Sequence, residues 1–313
     1  DFFTFEVPGF KYMPAYRNKT WDGKIRLYNI VTGEIYMGLL PYIEEYLQNN
    51  GEYYELEEGL RSERTVARSV VQGFVRGIRP TLGGRRIKIR DYQIDAISHA
   101  IATNRSLLIS PTASGKSLII YCLVRYYQMM ELKTLILVPT TSLVEQMYKD
   151  FEDYGWSSGT YCQKIYQGHD RKVVKDVVIS TWQSLHRMPR PYFRQFGAVF
   201  GDEAHLFKAK SLTGIMTKLD TCKYRFGLTG TLDGTQTHRL VLEGLFGKAK
   251  YVVTTKELID NKTLSELSIN CIILKYPDED RQIVKEFDYG AELEYIVTKE
   301  ERNLFLCNLV GHC

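Results

Sequence analysis

Ser106-Leu107-Leu108-Ile109-Ser110-Pro111-Thr112-Ala113-Ser114-Gly115-Lys116-Ser117 runs from a short apolar stretch into a turn, and the apolar segment 118–130 comes next. A strand, a turn and a helix in that order predict a phosphate-binding loop. Backbone N–H groups of the turn and of the helix N-terminus would face phosphate oxygens. Thr112, Ala113, Ser114 and Gly115 would line the loop, Lys116 would reach the β- and γ-phosphates, and the Ser117 hydroxyl would bind magnesium. Ser110 stands where the G-x-x-x-x-G-K-[ST] pattern has its first glycine.

Further along, the apolar run Ala198-Val199-Phe200 leads into Asp202-Glu203-Ala204-His205. An acidic pair at the end of a strand suits magnesium binding by Asp202 and water activation by Glu203. Strand ends on one edge of a parallel sheet converge on one crevice, so the two motifs support each other. Strands are predicted over 106–110, 134–138, 176–180, 198–202 and 225–229. Each is short and largely apolar throughout, as strands buried on both faces require. With helical segments between them, they predict an α/β domain of the P-loop type with a mainly parallel sheet.

The first 80 residues differ in texture. Tyrosines crowd there, and 25–31 with 35–37 around Thr32-Gly33-Glu34 reads as a hairpin. Pro41 opens a helix over 42–48 that stops at Asn49-Asn50-Gly51. These features predict a small α+β domain. Residues 76–90 read as a basic connector, and 155–176 as a solvated surface loop. A strand over 267–276 and a helix over 298–310 are expected near the end of the chain. The predicted divisions are 1–80, 81–265 and 266–313.

Bulk properties narrow the class. A chain of 313 residues suggests two domains, taking ~150 residues per domain. A net charge of +4 is too small to argue for a nucleic-acid partner without local patches. The six cysteines form no C-x-x-C pair and have no histidines at metal-ligand spacing, so reduced thiols are expected. Neither a secretory signal nor an apolar stretch of the ~20 residues a membrane span needs is visible, which predicts a cytoplasmic chain without membrane contact.

Ser110 to Ser117, Asp202 to His205 and Gly227-Leu228-Thr229-Gly230-Thr231 together resemble motifs I, II and III of superfamily-2 helicases. Ile89-Arg90-Asp91-Tyr92-Gln93 resembles the upstream motif in which a glutamine reads the adenine edge. Val138-Pro139-Thr140-Thr141-Ser142 resembles motif Ia, and Ile179-Ser180-Thr181-Trp182-Gln183 motif Ib. Asn18-Lys19-Thr20-Trp21-Asp22-Gly23-Lys24-Ile25-Arg26-Leu27 resembles the opening segment of UvsW-type phage recombination helicases, as does Tyr276-Pro277-Asp278-Glu279.

The resemblance implies a RecA-like fold, ATP and magnesium as cofactors, and DNA remodelling without sequence readout. The DNA would be branched or single-stranded. Arg90, Tyr92 and Gln93 would then serve the nucleotide. His205, with Thr229 or Thr231, would couple nucleotide state to DNA. The resemblance also implies a second RecA-like domain carrying arginine fingers, expected to begin near the 298–310 helix and to be missing here. The cytoplasm would be that of a bacterial host if the chain is of phage origin.

Elementary physics adds candidates for strand contact. Thr140 and Thr181 sit at strand ends, where hydroxyls and N–H groups meet phosphates. Lys24 and Arg26 point to one face of an extended strand near Trp21 and would suit DNA. Trp21 and the tyrosines equally fit a small domain's interior. An ATP-dependent helicase or translocase is the leading expectation. A nucleotide-responsive DNA-binding or annealing module without strand separation is the alternative.

Overall fold

Apolar runs of the expected kind become one sheet in a computed structural model that describes residues 2–57, 60, 65–208, 210–232, 236–265 and 271–311. Short antiparallel pairs come first: β1 (Thr4–Glu6) with β2 (Lys24–Arg26), β3 (Tyr28–Asn29) with β4 (Glu34–Ile35), and β5 (Thr81–Leu82) with β6 (Arg85–Arg86). The main sheet is built from β7 (Arg105–Ile109), β8 (Thr134–Val138), β9 (Cys162–Ile165), β10 (Val177–Thr181), β11 (Ala198–Asp202), β12 (Tyr224–Thr229) and β13 (Ala249–Tyr251). Its order is β13-β7-β12-β11-β8-β10-β9, and every pair is parallel.

The central strands are buried along their whole length. Alternate residues feed two separate cores. Leu108, Ile136, Val138, Ile179, Phe200 and Phe226 join one cluster, while Leu107, Ile109, Leu135, Leu137, Val178 and Val199 join the other. Side chains alternate across a strand, so a sheet covered by helices on both faces needs apolar residues at every position. The continuous runs in the sequence have this cause.

The strand over 162–165 corrects the reading of 155–176 as a surface loop. Cys162 and Ile165 are buried, and Gln163 and Lys164 are half-buried. An edge strand pairs on one side only and tolerates polar residues, so its sequence lacks the apolar run. The connector 76–90 is likewise structured. It holds the end of the helix Arg68–Ile78 and the β5–β6 hairpin, and Tyr154 O accepts from Thr81 N at 3.1 Å.

In the N-terminal segment the expected hairpin forms between β3 and β4, but Lys24–Arg26 turns away to pair with β1. The helix spans Leu40–Asn49, with proline in its first turn. Leu27 and Leu39 bury against Leu240. Backbones meet closely here, because a Cβ on Gly38 would lie 2.0 Å from Glu243 O.

Residues 1–265 form one compact unit and 266–313 a second. The second holds the helices Asp278–Ile283, Tyr289–Thr298 and Glu300–Gly311. The strand expected over 267–276 is not formed at 271–276, and 266–270 lie outside the described residues. Ile272 and Ile273 are exposed, and no strand among the described residues of that unit offers them a ladder partner. An unpaired strand leaves its backbone groups unsatisfied by protein. Among the described residues, no helix is long and apolar enough to cross a membrane.

Candidate nucleotide-binding site

β7, β12 and β11 are neighbours, and their C-terminal ends carry the phosphate-loop, Thr229 and Asp202 segments respectively. Register places Thr229 opposite Ile109 and Asp202 opposite Leu228. Parallel pairing therefore brings together residues that lie far apart in the chain.

The loop is braced from within. Ser110 N donates to Thr229 O at 2.8 Å. Ser110 Oγ donates to Ser114 Oγ at 2.6 Å, and Ser114 Oγ donates to Pro111 O at 2.6 Å. Both serines are fully buried, while Thr112 and Ala113 are exposed. The serine in place of the first glycine thus stiffens the loop by hydrogen bonding. Ala113 (φ 63°) and Gly115 (φ 84°) both take left-handed backbone. A Cβ at Gly115 would stand 2.4 Å from Gln93 Nε2, so a larger residue would displace the Gln93 amide as well as strain the left-handed backbone.

Arg90, Tyr92 and Gln93 fasten the helix Asp91–Thr103 to this loop. Tyr92 Oη donates to Ser114 O at 2.9 Å, and Gln93 Nε2 donates to the same oxygen at 2.8 Å. Gln93 Oε1 accepts from Arg90 N at 3.0 Å, and Arg90 Nη1 donates to Tyr92 Oη at 2.7 Å. The structure puts the Gln93 amide against the loop's underside, 3% exposed.

Lys116 begins the helix Lys116–Met129. Its Nζ lies 3.5 Å from Ser110 O and 3.9 Å from Glu203 Oε1. A Cβ on Gly230 would come 3.8 Å from the same Nζ, so Lys116 sits where the three motifs meet. Asp202 is buried, and its Oδ1 has no hydrogen-bond partner among the described residues. Burial first, and then the Glu203 charge, push its carboxyl up to about 6. Glu203 itself takes left-handed backbone, φ 50°. Strain of this kind collects at functional sites.

A buried carboxylate oxygen of this kind fits a magnesium ion that would supply a partner. No group of three or more histidine, cysteine, aspartate or glutamate residues suited to a metal occurs among the described residues. Magnesium does not need one, since it keeps water and phosphate ligands. Sequence reasoning missed one neighbour of the Ser117 hydroxyl. Tyr154 Oη lies 2.8 Å from Ser117 Oγ. Nothing in the local pattern marks it, because it caps the helix after β8.

His205 Nδ1 lies 2.9 Å from Thr229 Oγ1 and 3.4 Å from Glu203 Oε2. Thr229 Oγ1 donates its only hydrogen to Thr231 O at 3.0 Å, so the His205 Nδ1–H must be the donor to Thr229.

The candidates for strand contact fall in two other places. Thr140 caps the helix Thr141–Asp153, accepting from Leu143 N at 3.3 Å. Thr181 ends the adjacent strand, but its side chain is buried and its Oγ1 is 2.9 Å from Ser184 Oγ. Gln183 Nε2 joins the two ends by donating to Pro139 O at 3.3 Å. Trp21, Lys24 and Arg26 form a separate group. Trp21 Nε1 donates to Lys24 O at 2.9 Å, and Lys24 and Arg26 are exposed on one face of β2. Arg26 is tied to Asp22, whose carboxyl its hydrogen bonds hold down at about 2.

Comparison with known proteins places these features in context. Residues 1–56 match the family described as "DNA helicase UvsW, N-terminal", and residues 86–234 match "Type III restriction enzyme, res subunit". The chain is 35% identical over 316 aligned positions to the ATP-dependent DNA helicase uvsW of Enterobacteria phage T4, covering 99% of this chain and 62% of that protein. It is 26% identical over 203 positions to the DNA 3'-5' translocase XPB2 of Sulfurisphaera tokodaii, covering 63% of this chain and 43% of the relative. A crystal structure of the UvsW helicase from bacteriophage T4 superposes with a TM-score of 0.73 at 34% identity, over 80% of this chain and 90% of the other.

Proposed function

The chain belongs to the UvsW family of DNA helicases, and from that premise we propose that it forms the ATP-binding part of a motor that moves along or remodels DNA. One observation carries the reading. Lys116 Nζ is 3.9 Å from Glu203 Oε1, and the neighbouring Asp202 is buried with an oxygen that has no hydrogen-bond partner among the described residues. A cation facing a carboxylate pair across a phosphate loop is a site waiting for a polyphosphate and its metal.

In this reading Lys116 and the loop N–H groups hold the phosphates, and Ser117 and Asp202 hold magnesium. The magnesium neutralises charge on the phosphates. Glu203 orients the attacking water and accepts its proton. The Glu203–His205–Thr229–Thr231 chain carries nucleotide state to the end of β12. Arg90, Tyr92 and Gln93 support the loop and face the adenine.

Residues 1–80 act as the DNA-contacting module, 81–265 as the first RecA-like domain, and 266–313 as a linker and the start of a second motor domain. Phosphate contacts from Thr140, from the backbone at Thr181, and from Trp21, Lys24 and Arg26 would track branched or single-stranded DNA without reading its sequence. The setting is the host cytoplasm.

Equilibrium binding of a fluorescent ATP analogue, with and without Lys116→Ala, tests the nucleotide half. Loss of binding in the variant is expected, and unchanged affinity refutes the assignment. Strand displacement on forked DNA, by a protein containing this chain, tests the motor half. ATP-dependent annealing without displacement would select the non-separating alternative.

A further inference from the structure

We propose that the chain has a second ligand site, at the edge of the main sheet opposite the phosphate loop, which binds a small molecule carrying one phosphate or carboxylate group on an apolar body. All strands of the sheet are parallel, so the loop lies at their far ends and the two sites are separate. A cavity of about 1110 Å³ opens between the N-terminal helix Leu40–Asn49 and the starts of β7 and β12. Small-molecule pockets run to roughly 1,000 Å³, so a ligand of that class fits.

Register pairs Arg105 with Arg225, so two guanidinium side chains leave the same face of adjacent strands. Both line the cavity. Arg225 is buried and donates to the carbonyls of Met216, Leu219 and Cys222, where the helix Lys210–Lys218 ends. The last carbonyls of a helix carry partial negative charge, which suits a cation. Arg105 has no such anchor. Its one hydrogen bond among the described residues runs from Nη2 to Cys222 O at 3.5 Å. Neither arginine has an ion-pair partner among the described residues. Burial first, and then the Arg225 charge, pull the Arg105 guanidinium down to about 10. A cation withdrawn from water beside a second cation needs an anion to offset its desolvation.

Asn104 supplies an independent observation. It is 3% exposed and lines the same cavity, yet its side-chain amide has no hydrogen-bond partner among the described residues. Buried amides are nearly always bonded, so this one is placed to donate to a ligand. The rest of the wall limits what that ligand is. Tyr36, Met37 and Leu40 offer apolar surface for its body. Glu44, Glu45 and Asp220 also line the cavity, against the cations Arg105, Arg225, Lys223 and Lys248. That near balance of charge disfavours a nucleic acid or a polyphosphate and leaves room for one oxyanion. A guanidinium fork takes a phosphate or a carboxylate equally well.

Naphthyl phosphate, naphthylacetate and inorganic phosphate, each titrated into the chain in a chloride buffer and followed by naphthyl fluorescence and calorimetry, test the proposal. Saturable binding of one or both organic anions is expected, tighter than that of inorganic phosphate, and the preferred one identifies the head group. Arg105→Met should weaken it about 10- to 100-fold, the range of a hydrogen-bonded charge. Asn104→Gly keeps the left-handed backbone (φ 60°) and should weaken it about 3- to 10-fold. Lys116→Ala should leave it unchanged. The unfolding midpoint of ligand-free Arg105→Met should hold or rise, since an unpaired cation has gone. No saturable binding of either organic anion, inorganic phosphate binding as tightly as both, or an affinity untouched by Arg105→Met overturns the proposal. Loss of binding in Lys116→Ala would move the ligand to the phosphate loop, and a lowered midpoint in Arg105→Met would make Arg105 a structural prop; either result overturns it too.

Discussion

Tyr42 donates its hydroxyl to Glu243 across 2.5 Å, joining the N-terminal helix to the helix that comes after the Thr229–Thr231 segment. Glu243 is fully buried and also accepts from Arg239 Nε at 3.1 Å and from Ala249 N at 2.9 Å. Tyr42→Phe removes one donor from a buried carboxylate and should cost about 1–3 kcal/mol. Gly38→Ala should cost more, because its Cβ would meet Glu243 O at 2.0 Å and neither backbone can give way cheaply. Urea unfolding of the parent and the two variants checks both. Equal midpoints would mean that the N-terminal segment is not anchored here.

Gly115→Ala should abolish ATP-analogue binding and destabilise the chain. Two causes act together, the left-handed φ of 84° and the 2.4 Å approach to Gln93 Nε2. Gln93→Ala removes the second cause only. The double variant should therefore recover part of the lost stability but not the binding, with unfolding midpoints and binding isotherms as the measures.

Asp202 is a destabilising group in the metal-free chain at neutral pH. Its folded pKa of about 6 stands above the ordinary aspartate value of 3.8, so the folded state binds the proton more tightly than the unfolded state. Its stabilising contribution is complete below about pH 4 and is lost as pH rises through about 6. Asp202→Asn should raise the melting temperature at about pH 7.5 in EDTA, by a free energy on the order of 1–3 kcal/mol. It should leave little change at about pH 4. A lower melting temperature of the variant at the higher pH would contradict the orphaned-carboxylate reading.

Thr229→Val keeps the shape of the residue and deletes the oxygen shared by His205 and Thr231. Nucleotide affinity should hold within about 3-fold, while stability falls by no more than about 1 kcal/mol, because Thr231 is exposed and His205 half-exposed. In a protein containing this chain, DNA should no longer accelerate ATP hydrolysis. Retained stimulation would remove Thr229 from the coupling route.

Lys24 and Arg26 share a face but not a role. Arg26 is already neutralised by Asp22, whereas Lys24 meets Trp21 and Asp22 through its backbone, its O accepting and its N donating. Lys24→Ala should weaken DNA binding and reduce the salt slope by roughly 1. Arg26→Ala should change the slope less. Equal slopes in both variants would show that the Asp22 pair opens on DNA.

Much of the fold was legible because its physics is local. The runs at 134–138 and 198–202 are largely apolar from end to end, and only strands covered on both faces require that. Gly115-Lys116-Ser117 and Asp202-Glu203 declare themselves through side-chain chemistry at strand ends. Edge elements were not legible for the opposite reason. β9 is paired on one side and carries Gln163 and Lys164, so it looks like a loop until β10 is beside it.

The amino-acid sequence by itself determined the parallel sheet, the phosphate loop and the acidic pair, since burial on two faces and phosphate chemistry leave their mark on consecutive residues. Only the tertiary structure decided that Tyr154 reaches Ser117, that Gly38 lies against Glu243, and that Gln93 lies under the loop. Those contacts join residues with no shared periodicity. They exist only where strand order and helix packing bring distant segments within hydrogen-bond range.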